Sequence, residues 1–350
     1  MSELVLVANA ADSTVSTFRV ETSGTPGAAP SLTRIAVTEV GEGCGTFVVD
    51  PDRDLVYAAA KGDPPGIDVF SLERESGALV HLSRTDVASS MSYLSLAQGG
   101  TLLVAASYGG GTAQVFPVDG DGNVEEPTAE VSWPNAHCAA VAADGRGLYV
   151  VSLGADVVAQ YSLSPAGQLS PLAPPTAEAP AGSGPRHLVL SADERVAYVM
   201  TEFSGEALTL ARDTATGVLT PVGAVPAYAR DRGLSHSELG ADPVAGQLVW
   251  GADLHLARGG RFLLCSERTA STLMSLPVGE DGTLGEAVSL VDTVRQPRGF
   301  AVLADGEHAV VAGEQDTDVA LVAVAEDGSL TELARVETGA GANWVRSVVL

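Results

Sequence analysis

The chain has 350 residues, 45% of them apolar, with 44 acidic against 19 basic side chains and a formal net charge of −25. That apolar share is ample for a large buried core. So negative a surface excludes nucleic acid and anionic membrane as partners of the molecule at large.

Gly (39) and Pro (19) are abundant and aromatic content is only 5%, a composition suited to many short strands joined by turns. The opening MSELVLVANAADST lacks a basic stretch and a small-residue cleavage site, so a cytoplasmic protein without a leader is expected. No apolar run is long enough to span a bilayer. Cys44, Cys138 and Cys265 are far apart and odd in number, with no metal-ligand spacing. Free thiols, no metal and no cofactor are the expectation.

In chain order, a hairpin unit recurs. A first copy around Val5 lacks its leading strand. CGTFVVDPDRDLVYAAAKG follows from 44, then MSYLSLAQGGTLLVAASYG from 91 and NAHCAAVAADGRGLYVVSLG from 135. Next come GPRHLVLSADERVAYVMTE from 184, ADLHLARGGRFLLCSER from 252 and QPRGFAVLADGEHAVVAGE from 296. Each reads as apolar strand, turn, apolar strand, then further strands. Anchored on Val5, Val56, Leu103, Leu148, Ala197, Leu263 and Ala309, the copies recur every 45 to 51 residues, with one interval of 66. Seven four-strand units at this period predict an all-β fold, a seven-bladed β-propeller of four-stranded antiparallel blades. The terminal NWVRSVVL resembles the strand missing from the first copy, so the two ends of the chain are expected to pair and close the ring. The whole of 1–350 reads as one domain, with an insertion at about 224–247 in the long interval.

Equivalent repeat positions lie at equivalent radius and height in such a ring. Arg186 and Glu202 flank the turn near Glu194 at equal distance, so folding the hairpin sets them opposite each other. The same arithmetic matches His137 with Leu153, Ala252 with Arg268 and Arg298 with Glu314. The strand-opening positions at one mouth are then Gly45, Ser92, His137, Arg186, Ala252 and Arg298. The strand-closing ones are Ala10, Lys61, Tyr108, Leu153, Glu202, Arg268 and Glu314. Arg suits carboxylate or phosphate through its planar fork, and a histidine among the charges can move a proton. His187 and His255 fall one and three residues past their ring positions, so strand alternation turns them off the channel and gives them structural roles. His236 lies in the insertion, where it has a route to the mouth. Gly109–Gly111 reads as a turn and not a phosphate loop, since no Lys-Ser/Thr follows.

These segments resemble the seven-bladed lactonase family of bacterial 6-phosphogluconolactonases, which also includes fungal carboxy-muconate cyclases. The resemblance is carried by YGGGTAQVFPVDGDG, PNAHCAAVAADGRGLYV, GSGPRHLVLSADERVAYVMTE, ADLHLARGGRFLLCSER and QPRGFAVLADGEHAVVAGEQD. It implies His137, Arg186, Glu202 and Arg268 as active-site residues. Three positions depart from the family pattern. Asn135-Ala136-His137 stands for His-x-His, Thr201-Glu202 for Asn-Glu, and Glu267-Arg268-Thr269-Ala270 for Asn-Arg-Gly-His.

The expected activity is metal-independent hydrolysis of a small anionic sugar lactone, by resemblance 6-phosphoglucono-1,5-lactone, in a monomer or weak homo-oligomer. His137 or Glu202 takes the proton of the attacking water. Arg186 stabilises the oxyanion, and Arg268, Arg298 and Lys61 hold the anionic group, with Tyr108 and Glu314 also at the substrate. Muconolactone chemistry and a non-catalytic binding mouth are the alternatives.

Overall fold

The computed structural model describes residues 2–21 and 29–350. Seven four-stranded antiparallel sheets make up the fold, each a blade, and in six of them the first strand in chain order lies innermost. In blade 5 the strands are Pro185–Leu190, Val196–Thr201, Glu206–Arg212 and Leu219–Pro226. The predicted seven-bladed propeller is what forms. All seven anchor residues, from Val5 to Ala309, are fully buried in second strands. Second and third strands are buried along nearly their whole length, as in Leu55–Ala60 and Gly66–Leu72. Both faces of a blade pack on a neighbour, so period-2 alternation gives way to continuous burial. The fourth strands are the solvent-facing ones, as in Leu79–Asp86, where Leu79 alone is buried.

The chain ends pair as expected. Ala342–Val349 lies antiparallel to Ser2–Asn9, with Val7 opposite Val345. This strand supplies the inner edge of blade 1 and closes the ring of blades with the two ends of the chain.

Two devices aim side chains at one mouth. The first is a polar residue at the end of the second strand. Thr201 Oγ1 accepts from Glu206 N–H at 2.7 Å, Ser107 Oγ from Gly110 N–H at 3.0 Å and Ser152 Oγ from Ala155 N–H at 3.2 Å. Each bond ties down the turn that holds the next residue, Glu202, Tyr108 or Leu153.

The second device is a β-bulge on the innermost strand. In blade 5, Pro185 faces Thr201 but His187 faces Met200, leaving Arg186 as the extra residue. His137 in blade 4, Arg298 in blade 7 and Asn343 in blade 1 occupy the same extra position. The hairpin arithmetic missed these bulges. The backbone partner of Glu202 is Gly184, two residues before Arg186. A bulge bends its strand and re-aims a side chain, and that is how the arginine still reaches the glutamate.

The bulge also corrects the reading of His187. Its ring does not turn away from the channel. It packs edge to face on Tyr93, His137 and Trp344, with centroids 5.5, 5.0 and 5.7 Å away. These four rings come from blades 5, 3, 4 and 1, and side chains from blades so far apart in the ring meet only near its axis. Together they plug the central channel.

Candidate active site

A cavity of about 400 Å³ opens above this plug. Eight of the expected ring positions line it: Gly45, Lys61, Ser92, Tyr108, His137, Glu202, Arg268 and Arg298. Ser90, Met91, Gly109, Trp250 and Asn343 complete the wall. Arg186 and Glu314 stand behind it, each bonded to a residue that lines it. Ala10, Leu153 and Ala252 do not reach it. No residue of the 224–247 insertion lines the cavity, and His236 is exposed outside it, its Nδ1 2.7 Å from Ser237 O.

Glu202 is the hub. Its Oε2 accepts from Arg186 Nε at 2.9 Å and Arg268 Nη2 at 2.8 Å, and Trp250 Nε1 approaches Oε1 at 3.3 Å. Burial opposes the charge, but the guanidiniums of Arg268, Arg186 and Arg298 outweigh it and hold the carboxyl below its ordinary range. Arg186 is 1% and Arg268 2% exposed. Arg186 Nη1 also donates to Ala252 O, and Arg268 Nη2 to Gly251 O. The Arg268 guanidinium stacks over the Trp250 ring at 3.7 Å. Both charges are buried and paired, and Nη1 is the one Arg268 nitrogen without a bond to the protein.

The sequence departure before Arg268 has a physical role. Glu267 is fully buried, and its carboxylate accepts from the N–H groups of Trp250, Thr269 and Ala270 at 2.8, 3.0 and 2.7 Å. It ties the end of blade 6's second strand to the segment that carries Trp250.

His137 is 5% exposed and makes no side-chain hydrogen bond within the protein. Its Nδ1 is buried without a partner, which leaves Nε2 to face the cavity. Burial first, then the charges of Arg186, His187, Arg298 and Arg268, hold it well below the usual imidazole range. It is a neutral histidine edged by the Tyr108 ring at 5.8 Å. Across the cavity, Arg298 pairs with Glu314 at 3.0 Å and remains 30% exposed. Lys61 lies beside it, its pKa lowered by burial and by Arg298.

Beneath the cavity, His187 Nδ1 donates to Asp253 Oδ1 at 2.8 Å, and Asp253 Oδ2 lies 3.2 Å from His255 Nε2. Arg186 Nη1 is 3.2 Å from His187 Nε2 and 3.4 Å from Nδ1. A nitrogen nearly equidistant from both ring nitrogens cannot lie in the ring plane, so the guanidinium rests against the face of the imidazole. Burial and Arg186 hold His187 down to about 3, so this ring too is neutral. Its structural role stands, though it was missed as the support beneath both Arg186 and His137.

Five wall residues, Ser90, Met91, Gly109, Trp250 and Asn343, lie outside the expected ring positions. Asn343 was legible: aligning GANWV with GPRHL and QPRGF puts it in register with Arg186 and Arg298. Trp250 takes the repeat position of Gly184 and Gln296, its carbonyl accepting from Arg268 N–H as theirs do from Glu202 and Glu314, and neither counterpart is aromatic. Among the described residues no group of three or more His, Cys, Asp or Glu converges as a metal site. Cys44, Cys138 and Cys265 are free and buried. No helix is long and apolar enough to cross a membrane.

Comparison with known proteins agrees with this geometry. The chain is 29% identical to a 6-phosphogluconolactonase of Sodalis glossinidius, over 99% of this chain and 98% of that protein. It is likewise 29% identical to a 6-phosphogluconolactonase of Pectobacterium carotovorum, over 93% and 94%. The solved periplasmic gluconolactonase of Pseudomonas aeruginosa superposes with a TM-score of 0.86 at 25% identity, covering 100% of this chain and 99% of that one. Residues 13–347 match the family described as Lactonase, 7-bladed beta-propeller. The chain belongs to the seven-bladed β-propeller lactonase family.

Proposed function

We propose that the cavity hydrolyses a phosphorylated sugar lactone, 6-phosphoglucono-1,5-lactone to 6-phosphogluconate. The observation that carries this reading is a neutral His137 open to a cavity rimmed by Lys61, Arg268 and Arg298 in a protein of net charge −25. A local cationic cluster against an acidic background selects a small anion.

The cavity has two halves. Lys61, Arg298 and the Asn343 amide form one, and these hold the phosphate. Arg298 keeps donors beyond its bond to Glu314. His137, Tyr108, Glu202, Trp250 and Arg268 form the other, which takes the lactone ring. His137 Nε2 accepts a proton from a water as that water attacks the carbonyl carbon. Arg268 Nη1 donates to the oxygen that becomes negative. Ring opening then returns the proton to the departing ring oxygen.

Of the two bases considered, His137 is favoured, because both oxygens of Glu202 already accept bonds from Arg186, Arg268 and Trp250. Glu202 is the fixed counter-charge that keeps Arg268 in place. Arg186 acts through Glu202 as a positioning residue, since it does not line the cavity. No step calls for a metal. A phosphorylated substrate arises where phosphoryl donors are, which argues for the cytoplasm.

The test is proton release on adding fresh 6-phosphoglucono-1,5-lactone, beside unphosphorylated gluconolactone, with and without EDTA. Faster hydrolysis favouring the phosphorylated lactone and indifferent to EDTA is expected. Loss with EDTA overturns the metal-free mechanism. No acceleration of either lactone overturns the sugar-lactone assignment.

A further inference from the structure

Among its 350 residues the chain has a single lysine, Lys61, against 44 carboxylates. It follows the second strand of blade 2, Leu55–Ala60, and lines the cavity. The ion pairs of the mouth join Arg186, Arg268 and Arg298 to Glu202 and Glu314, and none includes Lys61. Its tail lies across Gly45. A Cβ added to that glycine would sit 3.6 Å from Lys61 Nζ and 3.7 Å from Asn343 Nδ2. The residue is solvent-accessible at the rim, so the amine is open to solutes. Partial desolvation and the neighbouring Arg298 lower the amine's pKa from its ordinary value.

A lactone is an acyl donor, and this cavity concentrates lactones around the chain's one lysine. We propose that Lys61 is a covalent acylation site, taking the acyl group of unphosphorylated 1,5-lactones that enter the cavity. The proposal rests on the lactone reading of the site. In the productive complex the phosphate lies against Lys61 and Arg298, favours the ammonium and keeps the carbonyl at the His137 end. A lactone without phosphate leaves the amine free and is not held at that end. The amine then attacks the carbonyl carbon, with the Arg298 and Asn343 N–H donors beside the oxyanion. The ring C–O bond breaks, and the ring oxygen takes the proton lost by nitrogen. An amide and a hydroxyl result, nothing is expelled, and the protein gains the full mass of the lactone. The adduct removes a cation from the phosphate half, so it slows turnover of the phosphorylated substrate.

The experiment is intact-mass and peptide mass spectrometry of the wild-type protein incubated with glucono-1,5-lactone near neutral pH, with Nα-acetyl-lysine as the reference amine. One adduct on the Lys61 peptide is expected, forming at least about tenfold faster than on the reference amine because the cavity holds both reactants. Inorganic phosphate slows it, and turnover of 6-phosphogluconolactone falls in step with the mass gain. K61R gains no mass at that peptide, whatever turnover it retains. Acylation no faster than that of Nα-acetyl-lysine, or indifferent to phosphate, overturns the proposal. If the phosphorylated lactone is still hydrolysed in that case, the lactonase reading stands. An adduct on Lys61 with no hydrolysis of either lactone supports the reactive amine and overturns the lactonase reading instead.

Discussion

Truncating His137 to alanine removes no hydrogen bond from the fold, because its buried Nδ1 has no partner and its Nε2 faces the cavity. H137A is therefore a clean test of the base. Its kcat is expected to fall ~10²–10⁴-fold, the usual contribution of a positioned base, with a circular dichroism spectrum like the parent's. E202A is a different experiment. It strands Arg186 and Arg268, both nearly inaccessible, and breaking such a buried pair costs about 3–5 kcal/mol. A large drop in urea midpoint is expected with the loss of activity, and an unchanged midpoint would contradict the hub role of Glu202. The pH dependence separates catalysis from stability. A base acts unprotonated, and His137 is held well below its ordinary range. The acid limb of kcat/KM for initial hydrolysis of unphosphorylated lactone should therefore lie well below 6.5. A limb near 6.5 would mean another base or a solvated histidine. Stability behaves otherwise. His137 and His187 are neutral in the fold, so the unfolded chain binds their protons first. Stability is lost as pH falls below about 6.5, at up to about 1.4 kcal/mol per pH unit for each ring, continuing toward about 3 for His187. Urea midpoints at neutral and mildly acid pH check this.

At the scale of strands and turns, the site is a product of repetition with local exceptions. The equal spacing of Arg186 and Glu202 about their turn named the right partners, as did that of Arg298 and Glu314, but it is the bulge in each inner strand that brings the side chains together. Period-2 reasoning then failed at the residue after each bulge, because an extra residue breaks the alternation without leaving a mark in composition. That is why His187 was read as facing away, and why Asp253 was not read at all. Asp253 sits at the irregular register of blade 6, between Gly251 and Leu254. It is buried, accepts from His187 at 2.8 Å and faces His255. The charges of the two histidines, when protonated, hold its carboxyl well below its ordinary range despite burial. Through His187 it supports both Arg186 and His137. D253A should lose about 1–3 kcal/mol of stability, the cost of leaving the buried His187 Nδ1–H without its acceptor. D253N keeps an acceptor, so it should stay folded and lower kcat more than it raises KM. A D253N enzyme with wild-type kcat would make the pair purely structural. The cap residues Ser107, Ser152 and Thr201 could have been read from sequence as polar stops at strand ends. Trp250 could not, because its counterparts Asn135, Gly184 and Gln296 give no sign of an aromatic wall.

For the molecule as a whole, the period of the apolar anchors decided the architecture, and the resemblance of NWVRSVVL to a leading strand decided its closure. Removing 342–350 should leave the edge of Ser2–Asn9 unpaired and take Asn343 and Trp344 with it. An aggregating, inactive protein is expected from size-exclusion chromatography. The charge of −25 predicts self-repulsion in the folded state, so moderate sodium chloride should raise the melting temperature by screening it. A melting temperature that falls with salt would mean that specific ion pairs dominate. The four packed rings on the axis have a further consequence. They make the working chamber a cul-de-sac with one doorway. Substrate and hydrolysed acid must use the same opening in turn, so the acid competes with the lactone for entry and product inhibition should be competitive. A polymer cannot be threaded through such a vessel, and only a molecule small enough to turn around inside it is processed to completion.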